Sequence, residues 1–472
     1  MHAQPWRRAG PERRDLRDPA PGRPGTRGGA AQARMEAGPT RVFPGAKGHP
    51  CDKSLRHNRA LNFADSPFAA DEKQGTWVRG RVMRDAGGRA DVSARQQGTV
   101  VPVWNRAASL ALLLSCLWCS GLAQAQIKIG QTAGFSGPAA TGVQEITDGA
   151  RLYFDAVNAQ GGIKGQPIEL VSLDDKYDPR LSAANAERLI DEGVVALFLS
   201  RGTAQSQALL PLLSKHQMAL VAPSSGAMAL HQPMIPQVFN VRATFQKEAA
   251  RAVQHLGSIG VKRVTIVQVN DAFGNDAGIG AIKGLEAQGM KASAILRFDG
   301  ARPELGPLME QVARAGVEAV LFIGPSAAVV QGVNALRATG SKAQVATLSN
   351  NASVDFVKAL GENAHGVIVT QVFPYERSTN NPLVREALGL AKARGRNELS
   401  PSQIEGFAAA KLLVEGLKRS VKDISRASLL KALEGVQRLD LGGVELHYGP
   451  KDRSGLDFVD ISIIGPDGKF WR

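Results

Sequence analysis

Cysteine is scarce, and its placement limits the chemistry available. The chain has three cysteines in 472 residues, Cys51, Cys116 and Cys119, and none beyond residue 119. From Gln126 onward there is no disulfide framework and no thiol nucleophile. The motifs GxxxxGKS/T, HExxH and GxSxG and paired-cysteine spacings are also missing from Gln126–Arg472. Their absence excludes a phosphate-binding P-loop, a zinc peptidase helix and a nucleophile elbow. Gly278–Gly284, GIGAIKG, resembles a dinucleotide loop only superficially, because it lies within a helical stretch and its spacing is off by one. The histidines of this part, His216, His231, His255, His365 and His447, are too scattered to suggest a local metal pair. No catalytic residue, cofactor or metal is therefore expected, and the chain reads as a non-enzyme.

Charge is distributed unevenly. Residues 1–125 hold 20 Lys and Arg against 10 Asp and Glu, and so supply +10 of the formal +14. The basic pI does not belong to the folded part, and no nucleic-acid partner is expected. Residues 1–100 alternate Arg, Pro, Gly and Ala without an apolar period, as in a disordered arm or an upstream extension that is not normally translated. The residues after them favour the second reading. Arg106, the apolar run Ala107–Trp118 and the small-x-small site Ala123-Gln124-Ala125 form an export signal over residues 101–125. The run is shorter than the roughly 20 residues that a bilayer requires. Translation is then expected to start near Val100–Val103, with export to the periplasm.

From Gln126 short β-branched runs alternate with amphipathic helices. Strands are expected at Ile127–Thr132, Ile168–Leu173, Val194–Leu199, Ala219–Ala222, Val264–Val269, Ala292–Leu296, Ala319–Ile323, Val345–Leu348 and Val367–Gln371. Helices are expected at Thr147–Ala159, Ser182–Glu192, Gln246–Ile259, Gly278–Gln288 and Leu305–Ala315, then at Phe407–Arg419 and Ser425–Leu433. Apolar strands separated by helices imply α/β architecture with parallel sheets covered on both faces. One sheet cannot hold so many strands, so two doubly wound lobes are expected. Crossings near Arg242–Thr244, Gln371–Tyr375 and Leu441–Val444 give lobe 1 residues 126–243 and 372–442, and lobe 2 residues 244–371 and 443–472. The chain is expected to finish with Val444–Tyr448 and Phe458–Ile464 paired as a hairpin. Three crossings make a hinge suited to opening and closing about a cleft.

Several segments resemble the type I periplasmic binding proteins, specifically the Leu/Ile/Val-type receptors of ABC transporters. They are Ile127–Gly130 with Phe135–Pro138, the run VNAQGGIKGQPIELVSLDD (Val157–Asp175), Asp178-Pro179, VAPSSGA (Val221–Ala227), VNDAFG (Val269–Gly274) and Gly366-Val367. The resemblance implies a venus-flytrap fold, an amino-acid-like ligand, and delivery to an inner-membrane permease with its ATPase. A ligand-sensing domain feeding a regulator is the alternative within the same fold.

In open α/β sheets ligands sit at the carboxyl ends of strands, where helix N-termini attract carboxylates. Two loops fit, Ser200-Arg201-Gly202-Thr203-Ala204 and Ser224-Ser225-Gly226. By resemblance, Thr203 and Ser224–Gly226 match positions that bind the α-carboxylate and α-amino group; otherwise they are helix caps. Asp271 and Phe273 lie in the corresponding loop of the second lobe. By resemblance Phe273 covers the ligand; otherwise it packs beneath its own helix. Ser349 follows another strand end, but no carboxylate lies nearby for an ammonium group, and Ala140-Thr141-Gly142 lacks the expected aromatic. Glu405 either replaces that acid or complements a helix dipole. Asp174 and Asp175 either close a turn or face the ligand. Arg201 points either to solvent or inward, where it would select a further anionic group.

Overall fold

The computed structural model describes residues 126–420 and 423–472. The readings of residues 1–100 and of the export signal at 101–125 fall outside the described residues. The first half begins β1 (Ile127–Ala133), α1 (Ala140–Ala159), β2 (Ile168–Asp174), α2 (Pro179–Asp191) and β3 (Ala196–Phe198). It continues with α3 (Thr203–His216), β4 (Ala219–Val221) and β5 (Val238–Phe239). Next come α4 (Phe245–Ser258), β6 (Val264–Val269), α5 (Ala272–Glu286), β7 (Ala294–Phe298), α6 (Leu305–Arg314) and β8 (Ala319–Ile323). The chain goes on with α7 (Ser326–Ala338), β9 (Gln344–Thr347), α8 (Val354–Leu360) and β10 (Ile368–Gln371). It ends with α9 (Pro382–Lys392), α10 (Pro401–Arg419), α11 (Arg426–Glu434), β11 (Arg438–Asp440), β12 (Glu445–Gly449), β13 (Asp452–Gly455), β14 (Asp460–Ile464) and β15 (Phe470–Trp471).

Strands β1 to β5 form a parallel sheet in the order β2-β1-β3-β4-β5. The second sheet runs β15-β14-β10-β9-β8-β6-β7, so its parallel part, β7-β6-β8-β9-β10, repeats the order of the first. In each sheet the direction of winding switches beside the leading strand, β1 or β6, and such switch points open crevices at the strands' carboxyl ends. Period-two alternation explains burial on both faces. In β3, Ala196 and Phe198 enter one core with α1 and α10, whereas Leu197 enters another with α2 and α3. The second sheet has its own core around Val267, Leu321 and Val345. The fold is thus two doubly wound α/β lobes.

Two glycines set how closely helices approach. A Cβ on Gly149 of α1 would lie 2.0 Å from the Gln403 carbonyl oxygen, and one on Gly406 of α10 would lie 1.8 Å from that of Ile146. Nothing larger fits, so α1 and α10 pack backbone to backbone. Helix α5 starts at Ala272 rather than Gly278. Its first turn is secured by Asp271, whose carboxylate accepts from the Gly274 N–H at 2.8 Å. Helix α1 likewise starts at Ala140, not Thr147, and β5 is too short to register as a sequence period.

The chain's last segment differs from expectation. Val444, Leu446, Tyr448 and Leu456 are buried in the first lobe's core, so the third crossing lies between Leu456 and Asp460 instead of Leu441–Val444. The expected hairpin is replaced by two separate pairings. Strand β12 lies between β11 and β13, while β14 pairs antiparallel with β10. The turn at Gly449–Asp452 does reverse the chain, but the strand it returns is β13. The Tyr448 hydroxyl donates to the Asn240 carbonyl at 2.6 Å and the Leu456 N–H to Val241 at 2.9 Å. These bonds bring the third crossing beside the first.

His231 is 1% exposed, and neither ring nitrogen has a hydrogen-bond partner among the described residues. Burial, assisted by Arg242 and Lys247 and opposed by Asp452, pushes its pKa down to about 4. A lowered histidine pKa means the unfolded chain binds the proton that the folded chain refuses. Its stability contribution is complete above pH 6.5 and lost as pH falls toward 4, by at most about 3 kcal/mol. His231→Leu is expected to flatten the acid side of a thermal-midpoint profile over this window, with little change at pH 8.

Candidate functional site

The site is built where β3 and β4 end. Leu199 and Ala222, immediately after these strands, adopt left-handed backbone at φ 53° and 51°. Such conformations strain residues with a Cβ and persist where the surroundings impose them. The two chains then run side by side, with the Ser224 N–H donating to the Ser200 carbonyl at 2.7 Å and a bridge joining Arg201 to Ser224. Gly202, at φ 99°, turns the first loop into α3, and no side chain caps this helix. A Cβ at Gly202 would lie 2.9 Å from the Tyr177 ring. The first N–H groups of α3, which have no partner within the helix, are left for other acceptors.

Arg201 points inward. It is 5% exposed, its Nη1 donates to Ser224 Oγ at 3.1 Å, and its Nη2 donates to the Asn350 carbonyl of the second lobe at 2.7 Å. Gly142 makes room for it, since a Cβ there would stand 2.6 Å from Nη2. Burial pushes the Arg201 pKa down, with Glu405 opposing.

Behind Arg201 lies a second arginine. Arg242, 1% exposed, sits on the first crossing. Its Nη1 meets Glu405 Oε1 at 3.2 Å, and its Nη2 meets Glu248 Oε1 at 2.5 Å and Ser349 Oγ at 2.6 Å. Glu248 Oε2 accepts from Thr370 Oγ1 at 2.6 Å and from the Ser349 N–H at 3.0 Å. Ser224 donates to Glu405 Oε1 at 2.9 Å. Burial opposes the Arg242 charge, but Glu405 and Glu248 outweigh it and hold its proton more firmly than usual. The result is a chain of alternating charge, Arg201–Ser224–Glu405–Arg242–Glu248, running from one lobe through a crossing into the other.

A cavity of about 20 Å³ lies between the lobes, lined by Tyr177, Arg201, Gly202, Thr203 and Ser224 on one side and by Phe245, Phe273, Pro325, Ser326 and Asn350 on the other. Its walls come from loops after β1, β2, β3 and β4 and after β6, β8 and β9. This volume holds about one water, so a larger solute enters only when the lobes part. Phe273 stacks obliquely on Phe245 with ring centroids 4.6 Å apart. A direct bond from the Ala327 N–H to the Pro138 carbonyl also joins the lobes, at 3.2 Å. So does Glu145 of α1, which accepts from the N–H groups of Val354 and Asp355.

Of the residues expected to bind ligand, the structure brings Gly202, Thr203, Ser224 and Phe273 to the cavity wall. Ser349 and Glu405 are in the buried ion network behind it, with Glu405 engaged by Arg242. Ser225 shares a hydrogen bond with Thr203 at 3.0 Å. Ser200 faces Ser206 instead, at 2.9 Å. Ala204 does not reach the wall. Asp271 caps α5, and Gly226 lies so close to the first crossing that a Cβ would meet the Ala243 carbonyl at 2.6 Å. Asp174 and Asp175 close the turn after β2. Asp175 accepts from Thr132, Ser182 and the Tyr177 N–H, fixing the segment that presents Tyr177. Sequence reasoning missed Tyr177, Phe245 and Ser326, and it noted Arg242 only as a crossing. An arginine within FNVRATF, among apolar residues, was the available signal for a buried charge.

A larger crevice, of about 500 Å³, is lined by Glu376, Arg377, Leu399, Gln403, Lys469 and Phe470 among others. Burial pushes the Glu376 pKa up to about 7. Size alone does not make this the solute site, because its lining includes none of the residues that wall the cavity described above.

Replacing Arg242 with Met leaves two buried carboxylates without their cation, a loss expected to cost about 3–5 kcal/mol. Urea denaturation of Arg242→Met should show this, and adding Glu248→Gln and Glu405→Gln should recover a large part.

Comparison with known proteins agrees with this geometry. Residues 126–456 match the family model described as periplasmic binding protein. The Leu/Ile/Val-binding protein of Escherichia coli (strain K12) is 25% identical over 331 residues, spanning 68% of this chain and 88% of that one. The crystal structure of a substrate-binding periplasmic protein from Ralstonia solanacearum superposes with a TM-score of 0.68 at 30% identity, covering 73% of this chain and 99% of that one. A possible leucine/isoleucine/valine-binding protein from Rhodopirellula baltica SH 1 gives 0.69 at 26% identity, covering 75% and 98%. With two lobes of repeated topology and a family match running through both, the chain belongs to the periplasmic binding proteins.

Proposed function

We propose that this chain is the periplasmic substrate-binding component of an ABC-type transporter. It captures a small amino-acid-like or carboxylate-bearing solute between its lobes and delivers it to an inner-membrane permease and its ATPase, without chemically changing it. The observation that carries this reading is the cavity at the facing carboxyl ends of both sheets, walled by side chains from each lobe. The Leu/Ile/Val-binding proteins among its relatives support a transport receptor over a sensing domain of a regulator.

The geometry supports a two-step mechanism. In an opened form the first lobe offers Arg201, the hydroxyls of Thr203 and Ser224, and the first N–H groups of α3 to the polar head of the solute. Closure adds Phe273, Phe245, Ser326 and Asn350. A solute shifts the lobes toward closure only through contacts made better in the closed form, so the second-lobe residues decide whether capture occurs. The bonds from the start of α8 to Glu145 of α1 and the Ala327–Pro138 bond are ready ties for that form. Among the described residues no helix is long and apolar enough to cross a membrane. Export rests on the signal read at residues 101–125.

Thermal-shift screening of the full chain against amino acids, aliphatic and aromatic carboxylates, dicarboxylates and amides tests the reading. A solute that binds the folded chain raises the midpoint by mass action, by about 2.7 kcal/mol of stabilisation at a hundredfold excess over Kd. The absence of a shift with every class would remove the proposal. Phe273→Ala is expected to weaken binding of the best stabiliser more than about tenfold, through loss of a ring that covers the solute. Unchanged affinity in calorimetric titration would take Phe273 out of the site.

A further inference from the structure

The cavity wall carries one kind of charge. Arg201 is its single charged side chain; the other lining residues are aromatic, hydroxyl-bearing, amide or small. The Arg201 guanidinium forms no ion pair among the described residues, its acceptors being the neutral Ser224 Oγ and Asn350 carbonyl. Arg201 forms no ion pair of its own, and the Glu405 charge that acts on it is already paired with Arg242, so the guanidinium in the cavity calls for an anion. The nearby carboxylates do not provide a counterweight for a cationic group on the ligand. Glu405 Oε1 takes both Arg242 and Ser224, and Glu405 faces a separate small space with Ser349, Gln371 and Ser402. Glu248 is consumed by Arg242, Thr370 and the Ser349 N–H. Asp271 and Asp175, the acids near Tyr177, cap α5 and close the turn after β2, and Glu145, whose charge acts on Arg201, accepts from the Val354 and Asp355 N–H groups; none is part of the wall.

Resting on the receptor reading above, we propose that the solute is a carboxylate without an α-ammonium group, that its carboxylate pairs with Arg201, and that its apolar body lies against Tyr177, Phe245 and Phe273. The alternating chain Arg201–Ser224–Glu405–Arg242–Glu248 begins with a cation at the cavity, and a carboxylate there extends the alternation by one step. The Nη2–H now given to Asn350 is the donor a bidentate carboxylate would take, so the solute stands at the lobe–lobe contact that it must replace or bridge. An ammonium group in the same cavity would face a guanidinium with no carboxylate beside it. Arg201 thereby selects against zwitterionic amino acids as well as for acids.

The test uses solutes that differ in the ammonium group alone. The full chain is titrated calorimetrically with 4-methylpentanoate against leucine, and with 3-phenylpropanoate against phenylalanine, with 4-methylpentanamide as the uncharged control. At least one acid is expected to bind more than about tenfold tighter than its amino acid and its amide, as loss of a charged partner or addition of an unpaired charge requires. Arg201→Met should weaken the acid by a larger factor than Arg201→Lys, which keeps the charge but loses the planar fork. Equal or tighter binding of an amino acid, or equal binding of the amide, overturns the substrate class while leaving the receptor reading intact. Unchanged binding in Arg201→Met overturns the pairing. If neither acid binds the native chain, the substrate class falls; the receptor reading falls only if the wider thermal-shift screen also gives no shift, so the two failures are distinguishable.

Discussion

The buried guanidinium of Arg242 is the constraint on which the rest of the site depends. An arginine held at 1% exposure is tolerated only when its charge is met on the spot. It is met twice, by Glu248 from α4 of the second lobe and by Glu405 from α10 of the first. Because Arg242 sits on a crossing, this ion network fastens both lobes at the hinge. Glu405 in turn receives the Ser224 hydroxyl, and Ser224 receives Arg201. The orientation of the cavity's charged group is therefore set from the hinge outward.

This arrangement divides labour between the two arginines. Arg242 has all the anionic partners and serves the framework; Arg201 has neutral partners only and faces the cavity. Gly142 and Gly202 give space, one for the Arg201 guanidinium and one for the Tyr177 ring. The left-handed backbone at Leu199 and Ala222 turns the chain sharply where strands stop, so that loops instead of helix sides line the cavity. Repetition of one sheet order in both lobes places the second set of loops opposite the first.

Much of the fold was legible in the sequence. Alternation of apolar runs with helices gave the strands of both sheets except the two-residue β5 and β15, because a strand covered on both faces must be apolar throughout. Loops bearing Gly202, Thr203 and Ser224 were recognisable because small residues after a strand allow close backbone approach. The final segment was not legible. The pattern of Val444–Tyr448 shows a strand, but the choice between partners β11, β13 and β14 depends on which core receives Val444, Leu446 and Tyr448. Local alternation contains no information about that choice.

Sequence by itself determined the element types, the repeated α/β plan and the strand ends whose loops line the cavity, since these come from periodicity and from the polarity of helix termini. Tertiary structure decided the direction of Arg201, the partner of Glu405 and the place of Tyr177. Each depends on groups far apart in the chain: Arg201 on Gly142 and Asn350, Glu405 on Arg242 and Ser224, and Tyr177 on Asp175 and Gly202. A buried charge takes the direction its surroundings allow, and those surroundings exist only after the lobes have folded.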